Sequence, residues 1–331
     1  MALIDSFGRH IDYLRISITD HCNLRCGYCM PVFSGRPNLD HDEILTYEEL
    51  YRLAEAAVGA GISKIRITGG EPLVRKGMVE FCHMLGSLPG LVSLALTTNG
   101  VHLAKMGRPL KAAGVRRVNI SLDTLSRKRF EAITGRDKLD DVLSGIHEAE
   151  AAGFHPVKIN VVVMRGVNDD EIAQLAALTY QHDWHVRFIE LMPFQQARFG
   201  EYQDLYMPIG AILKRIPHIN KAHVGPALAT NGPARMCTLP GAKGKIGFIA
   251  PMSWHFCGSC NRLRLTADGN IRTCLFAESE IDVKTPLRTG ATKQELMDLM
   301  RGAVKVKPRR HHLGRNTGQN RRHRAMHAIG G

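Results

Sequence analysis

Between residues 12 and 191, short runs of alternating aliphatic and polar residues repeatedly give way to longer stretches with apolar residues three and four positions apart. Alternation with period two marks strands, and the 3.6-residue rhythm marks amphipathic helices. The pattern predicts strands at Tyr13–Ile18, Lys64–Thr68, Val92–Thr97, Arg117–Ser121, Val157–Val163 and Val186–Leu191, with helices near 47–60, 77–86, 102–113, 139–152 and 169–182. Gly61, Gly114 and Gly153 stand where three of those helices should end, in the left-handed cap position that glycine fills. Six strand-then-helix units in a row imply a parallel α/β sheet rolled into a partial (β/α)6, TIM-like barrel. The residues after 195 do not supply the two further repeats of a full eight-unit barrel. The chain therefore divides into a partial barrel over 1–195 and a distinct C-terminal region over 196–331. Within the latter, 217–251 is rich in Gly and Pro and reads as a linker or loop-rich platform.

The polar half of the alternation is unusual. Lys64, Arg66 and Thr68 share one side of their strand, as do Arg15 and Ser17, then Asn119, Ser121 and Asp123, then Lys158 and Asn160. The aliphatic set has to meet the helices, so the polar set points into the barrel. A barrel built only for stability fills that space with branched apolar side chains. Here Arg15, Lys64, Arg66 and Lys158 occupy it. Burying cations without partners is costly, so either an anionic ligand belongs there or internal acids such as Asp123 and Glu190 pair with them.

Composition narrows the class. The 331 residues are 44% hydrophobic and 23% charged, which excludes a disordered or fibrous chain. No stretch approaches the roughly 18–20 apolar residues of a membrane span, and the first residues lack the apolar core of a secretory signal. A cytoplasmic setting is expected. Net charge is +13, but the last 31 residues hold nine Lys and Arg and no acid, so the first 300 carry only +4. Such a tail serves as a solvated extension or as a contact for polyanions.

Eight cysteines in such a chain point to metal chemistry rather than to disulfides. Cys22, Cys26 and Cys29 lie directly after the first strand, at the end of the barrel where active sites form. Three thiolates on one tight loop suit three irons of a 4Fe–4S cube and leave the fourth iron open. A structural zinc site would want four closed ligands, and only His21 is near. Cys257, Cys260 and Cys274 form a second triplet, which taken alone favours zinc, with His255 or Cys237 as fourth ligand. Beside the first triplet, a second iron–sulfur cluster is preferred. Cys82 and Cys237 stand apart. Between the second set of cysteines, Arg262 and Arg264 share one side of an alternating run, and their guanidinium forks suit phosphate oxygens. A solvated strand face is the alternative.

The Cys22-Asn-Leu-Arg-Cys26-Gly-Tyr-Cys29 spacing, with its aromatic before the third cysteine, resembles the signature of the radical S-adenosylmethionine (SAM) superfamily. Together with Asp12-Tyr-Leu-Arg15-Ile-Ser-Ile-Thr-Asp20, Arg66-Ile-Thr-Gly-Gly-Glu-Pro72, Thr97-Thr-Asn-Gly100, Asn119-Ile-Ser-Leu-Asp123, Arg187-Phe-Ile-Glu-Leu-Met-Pro193, Phe256-Cys-Gly-Ser-Cys-Asn-Arg-Leu-Arg-Leu265 and the terminal Gly330-Gly331, it is similar to the GTP 3′,8-cyclase family over essentially the whole chain.

The resemblance implies two 4Fe–4S clusters on the two triplets and SAM as a consumed cosubstrate. It also implies SAM contacts at Tyr28, Gly70, Ser121 and Met192. GTP contacts are implied at Arg15, Arg66, Thr97, Lys158, Arg262, Leu263 and Arg264, and a catalytic tail ends in Gly330 and Gly331. It implies conversion of GTP to 3′,8-cyclo-7,8-dihydro-GTP, a reductant protein, a downstream cyclic pyranopterin monophosphate synthase and a homodimer, with no membrane or specific nucleic-acid partner. The chain departs from the family at Thr273, where proline commonly precedes the cysteine, at the extra thiol Cys237, and in the tail histidines His311, His312, His323 and His327. Two rivals remain: a peptide-modifying radical SAM enzyme with an accessory cluster, and a zinc protein that binds nucleic acid through its basic tail.

Overall fold

In the computed structural model, which describes residues 2–30, 38–194, 198–223, 232–311 and 324–330, the repeating unit is strand followed by helix. The strands β1 (Tyr13–Ser17), β2 (Lys64–Thr68), β3 (Ser93–Thr98), β4 (Val115–Ser121), β5 (Lys158–Val163) and β6 (His185–Glu190) follow one another as parallel neighbours. All six expected strands form within two residues of their predicted bounds. The helices between them are α1 (Tyr47–Ala60), α2 (Met78–Gly86), α3 (Leu103–Ala112), α4 (Arg127–Thr134), α5 (Leu139–Ala151) and α6 (Ile172–Gln181). Local chemistry fixes their ends. Thr46 and Glu49 make a reciprocal capping box at the start of α1, and Gly61 ends it at φ 125°. Among these helices between the six strands, the sequence pattern missed α4. It is short and rich in charge, buries only Phe130, Ile133 and Thr134, and is set by its ends, Ser126 and Gly135.

The strand residues that alternate with the polar set, such as Leu14, Ile16, Ile65, Ile67, Val118 and Ile120, are fully buried. They meet helix residues such as Leu50, Leu53, Leu85, Leu110, Val142 and Ile146 in one continuous core. That packing turns the polar set toward the sheet's other face.

Beyond residue 195 come α7 (Tyr202–Leu205), α8 (Ile209–Leu213), β7 (Arg235–Cys237), β8 (Lys245–Ile249), β9 (Arg262–Leu265), β10 (Asn270–Arg272), β11 (Ile281–Asp282), α9 (Lys284–Arg288) and α10 (Lys293–Lys305). These supply no further strand–helix repeats, yet they extend the sheet at both edges. β8 pairs parallel to β6, and β9 pairs parallel to β1. The sheet order is β11-β10-β9-β1-β2-β3-β4-β5-β6-β8-β7, an open sheet with eight parallel strands at its centre. The stretch 217–251, expected to be linker, therefore contains two strands. Its glycines made β8 hard to read: Gly244, just before the strand, lies so close to the carbonyls of His182 and Trp184 that any side chain would collide there.

One buried carboxylate joins the sheet to the loops that follow. Glu190, at the end of β6, has no accessible surface. It accepts hydrogen bonds from the backbone N–H of Ile209 (2.8 Å), Met252 (2.9 Å) and Ser253 (3.0 Å), and from the Ser253 hydroxyl. Removing it leaves one buried and two half-buried N–H groups without that acceptor. Glu190→Ala is expected to lower stability by about 3 kcal/mol or more, read as a fall in the urea midpoint of the metal-free chain. A midpoint that does not move would show that water replaces the carboxylate.

Candidate active site

The polar strand faces, the Cys22 loop and the second cysteine set all line one cavity of about 650 Å³. Register explains its layout. Arg262, Tyr13 and Lys64 lie side by side on β9, β1 and β2, and Arg264, Arg15 and Arg66 lie side by side two residues further along. Asn119, Lys158, His185 and Lys245 continue across β4, β5, β6 and β8. Cys260 precedes β9, at the sheet end where β1 begins, whereas the Cys22 loop follows β1 at the opposite end. β1 is five residues long, so at about 3.3 Å per residue the two ends lie roughly 16 Å apart.

The first triplet is held by backbone contacts. Arg25 N–H donates to Thr134 O (2.7 Å) and Gly27 N–H to Ile133 O (3.0 Å), so the loop is pinned to the end of α4. Cys22, Cys26 and Cys29 all face the cavity. Burial, then contact with one another and with nearby acids, raises their thiols: Cys22 to about 11, Cys29 to about 12 and Cys26 well above the ordinary thiol value. Asn99 donates to Asn23 Oδ1 (2.7 Å) and lies 3.8 Å from Cys22 Sγ.

Behind the loop, Gly70 sits against the carbonyls of Asp20 and His21 so tightly that a Cβ would collide with both. Glu71 accepts from Leu73 N, Thr98 Oγ1 and Asn99 N at 2.6–3.0 Å, and burial still raises its carboxyl to about 7. Tyr28 donates to Asp123 Oδ2 (2.7 Å), and Val162 N–H to Asp123 Oδ1 (2.8 Å). Ser121 and Met192 complete this end of the cavity wall.

The second triplet has a different setting. Cys257, Cys260 and Cys274 line the cavity among cations. Burial would raise the Cys260 thiol, but Arg262 and Lys307 outweigh it and bring it down to about 6. Among the described residues, no three of His, Cys, Asp and Glu come together as ligands of a single metal ion. Each triplet offers three cavity-facing sulfurs and an open side, a donor set that fits an iron–sulfur cube with one iron left for a ligand.

Between the triplets the charge is positive. Lys64 pairs with Asp12 (2.8 Å), and Arg66 is held by the Tyr13 hydroxyl, Leu96 O (3.1 Å) and Thr97 Oγ1 (3.3 Å). Asp123 and Glu190, the acids that might have neutralised the others, bind Tyr28 and backbone N–H groups instead. Burial first, and then neighbouring cations, lower Arg15 far below its usual value, Arg264 to about 10, Arg187 to about 9, Lys158 to about 7 and His185 to about 4. Buried Arg187 Nε and Nη2 have no hydrogen-bond partner among the described residues, and neither do Asn119 Oδ1 and Asn160 Oδ1. The cations and the Arg187 donors call for an anionic ligand with several oxygens, and the two asparagine oxygens call for a ligand that also carries donors.

Of the residues singled out from sequence, the structure does not bring the Leu263 side chain to the cavity. It is fully buried beside Leu14, on the core face, so only its backbone is near. Gly330 packs on Thr68 and Ser17, with φ 70° and no room for a Cβ, and its carbonyl accepts from Arg264 Nη1 (2.7 Å). The tail segment is tied down by Arg324, paired with Asp268 and Glu280 at 2.8 Å each. Gly331, His312 and His323 lie outside the described residues. The sequence reading passed over Arg117, Arg187, Lys245 and Lys307, which also line the cavity. Alternation reaches Arg117, two before Asn119, and Arg187, between Val186 and Phe188. It could not reach Lys245, whose strand was unrecognised, or Lys307, which follows a helix.

Two family models cover most of the chain: the Radical SAM superfamily model matches residues 16–179, and the Molybdenum Cofactor Synthesis C model matches 184–313. The "GTP 3',8-cyclase" of Moorella thermoacetica is 51% identical over 327 residues, 99% of this chain and 99% of the relative. That of Heliobacterium modesticaldum is 50% identical over 331 residues, 99% and 100%. The chain belongs to the GTP 3′,8-cyclase family. Membership brings SAM and 4Fe–4S clusters as cofactors. The solved structure of Streptococcus suis SuiB bound to S-adenosylmethionine aligns with TM-score 0.60 over 88% of this chain and 68% of that one. At 15% identity, that likeness shows the fold alone. No helix among the described residues is long and apolar enough to cross a membrane.

Lys158 offers a direct test of the cavity's charge. With its ammonium lowered to about 7 it is mostly neutral at pH 8, and a bound polyanion favours the charged form. Inorganic triphosphate should therefore bind with uptake of close to one proton at pH 8, and its affinity should fall by up to about tenfold per unit as pH rises above 7. Calorimetry in buffers of different ionisation enthalpy reads the uptake. If Lys158→Met takes up as many protons as the parent, the lysine is not the group that charges.

Proposed function

We propose that this chain converts GTP to 3′,8-cyclo-7,8-dihydro-GTP at the start of molybdenum cofactor biosynthesis, as a radical SAM enzyme. The observation that carries the reading is the single cavity, with a thiol triplet at either end and inward cations between. A peptide substrate has no triphosphate to neutralise those cations. A nucleic-acid-binding zinc protein has no use for cations sealed inside a sheet.

Cys22, Cys26 and Cys29 would hold the first cluster, and Cys257, Cys260 and Cys274 the second, beside the guanine base. When bound and given an electron by a reductant, the first cluster would, with SAM, supply the hydrogen-abstracting radical chemistry that the conversion of GTP needs.

The chain's own residues do the positioning. Gly70 lets the β2 loop pack directly on the Asp20–His21 backbone, so that the loop can close over SAM with Tyr28, Ser121 and Met192. Arg15, Arg66, Lys158, Arg262 and Arg264, with Thr97 and the Leu263 backbone, take the triphosphate and ribose. Thr97 already shares Arg66 as a partner, which fixes the direction of that guanidinium. Met326 and His327 of the tail line the cavity, and the Arg264–Gly330 contact ties Gly330, the first of the two catalytic glycines on this reading, to a phosphate-binding side chain.

The division into 1–195 and 196–331 belongs to the same reading; the two family models divide the chain earlier, between 179 and 184. The same reading takes in a cytoplasmic setting, a reductant protein, a homodimer and a cyclic pyranopterin monophosphate synthase that receives the product.

Anaerobically reconstituted chain should hold about eight irons and form the cyclised nucleotide from GTP, SAM and reductant. Iron near four with one zinc would remove the second cluster. Arg262→Ala should weaken GTP binding by about tenfold or more while SAM cleavage without GTP continues. Unchanged affinity would count against the assignment of Arg262. Arg324→Met should expose the C-terminal segment to carboxypeptidase and lower product formed per SAM cleaved, with GTP affinity retained. Equal resistance to carboxypeptidase would show that the ion pairs do not anchor the tail.

A further inference from the structure

The three cysteines of the second triplet come from two backbone segments, the Cys257–Cys260 turn before β9 and Cys274 after β10, and the sheet alone does not hold those segments together. β9 and β10 pair antiparallel at Leu265–Ile271 and Arg264–Arg272, and the ladder stops there. Toward Cys260 and Cys274 the two strands part. Asn261 O accepts from Tyr13 N–H on β1 (3.2 Å), so the next carbonyl, that of Arg262, points to the opposite side, where β10 has ended. A buried carbonyl in such a gap needs a donor from elsewhere.

The donor is Lys307, two residues beyond α10 and only 3% exposed. Its Nζ donates to Arg262 O (2.8 Å) and to Thr273 O (2.5 Å), bridging the two strands where their own ladder has opened. The remaining cysteine is braced by a second buried cation. Arg9, paired with Asp5 at 2.6 Å, donates through Nη1 to Cys257 O (2.7 Å) and Arg309 O (3.1 Å), and through Nη2 to Pro308 O (2.7 Å). Two cations from remote parts of the chain thus grip the backbone beside all three thiols, and Arg9 grips the segment that carries Lys307. Lys307 also lines the cavity next to Cys260 and Cys274.

We propose that Lys307 is the positioning residue of the second cluster: its ammonium replaces the missing rung between β9 and β10, sets the spacing of Cys260 and Cys274, and leaves a fixed positive charge against the anionic cluster they hold. The inference rests on the two-cluster reading above. A compact ammonium with three donors suits two converging carbonyls, whereas a planar guanidinium fork does not. Removing the charge while keeping the bulk leaves two buried carbonyls unpaired and a cluster with less compensation, and net charge and hydrogen bonding are what tune cluster potentials.

The test uses full-length chain reconstituted anaerobically as parent, Lys307→Met, Lys307→Arg and Cys274→Ser. Iron content, the midpoint potential of each cluster by EPR-monitored titration, and SAM cleavage without GTP are measured. Lys307→Met is expected to fall from about eight irons toward about four, as Cys274→Ser does, with SAM cleavage at the first triplet intact. Lys307→Arg should fall between parent and Met. Retention of eight irons with a lowered second midpoint also supports the charge assignment.

Eight irons and an unmoved midpoint in Lys307→Met overturn the proposal. Loss of SAM cleavage together with iron would overturn it as well, since Lys307 would then be a general folding residue. A parent that itself holds four irons removes the second cluster, and this proposal with it, and is distinguished from the former outcomes by the parent alone.

Discussion

The structure turns on an imbalance of charge inside its own sheet. Arg15, Arg66, Lys158, Arg187, Arg262 and Arg264 share one cavity, and the buried acids nearest to hand, Asp123 and Glu190, are bound to a tyrosine and to backbone N–H groups. A folded chain tolerates this only by letting some of the charges go. The fall of Lys158 to about 7 and of Arg187 to about 9 is the sign of that strain. Stability surrendered here is recovered when an anion enters, so the empty cavity and the loaded one differ by a large electrostatic free energy. The site is built to be filled.

Geometry converts that attraction into aim. Because the cations stand on neighbouring parallel strands, their spacing is fixed by hydrogen-bond register rather than by flexible loops. The thiol loops sit at opposite ends of the same strands. A nucleotide bound by its phosphates as proposed would therefore be held at a set distance from both. The glycines at 70 and 330 serve the same end by removing side chains where backbone must pack on backbone. Glu190 works from beneath, holding the Met252–Ser253 turn that precedes the second set of cysteines.

Much of this was legible in the sequence because it is periodic. Alternation along a strand forces one face toward the helices, so Arg15, Arg66 and Lys158 could be placed inside the sheet from their neighbours alone. The cysteine loops were legible because ligand spacing is local. What escaped depends on chain segments that meet only after folding. β8 and β9 join opposite edges of the sheet, and nothing in Lys245–Ile249 or Arg262–Leu265 states which strand each will find. Helix α4 was hidden by its charge, since it buries little. Nothing in the sequence around Arg9 or Lys307 marks them out, and only the fold shows them buried against carbonyls some 250 and 45 residues away.

The two thiol triplets also differ in what assembling metal on them demands. At the first, burial and neighbouring acids hold Cys22 and Cys29 at about 11 and 12, so on the proposed assignment iron binding there would have to displace firmly held protons. At the second, Arg262 and Lys307 bring Cys260 to about 6, so that thiol is already ionised near neutrality. Thiolate is the form that ligates, so the basic end is the readier acceptor at neutral pH and the acidic end gains more from alkaline conditions. On the proposed reading, the same cations that would draw in a polyanion also prepare a sulfur for iron. Substrate recognition and metal capture at that end of the cavity draw on one electrostatic source, and a substitution that weakens either should be examined for its effect on the other.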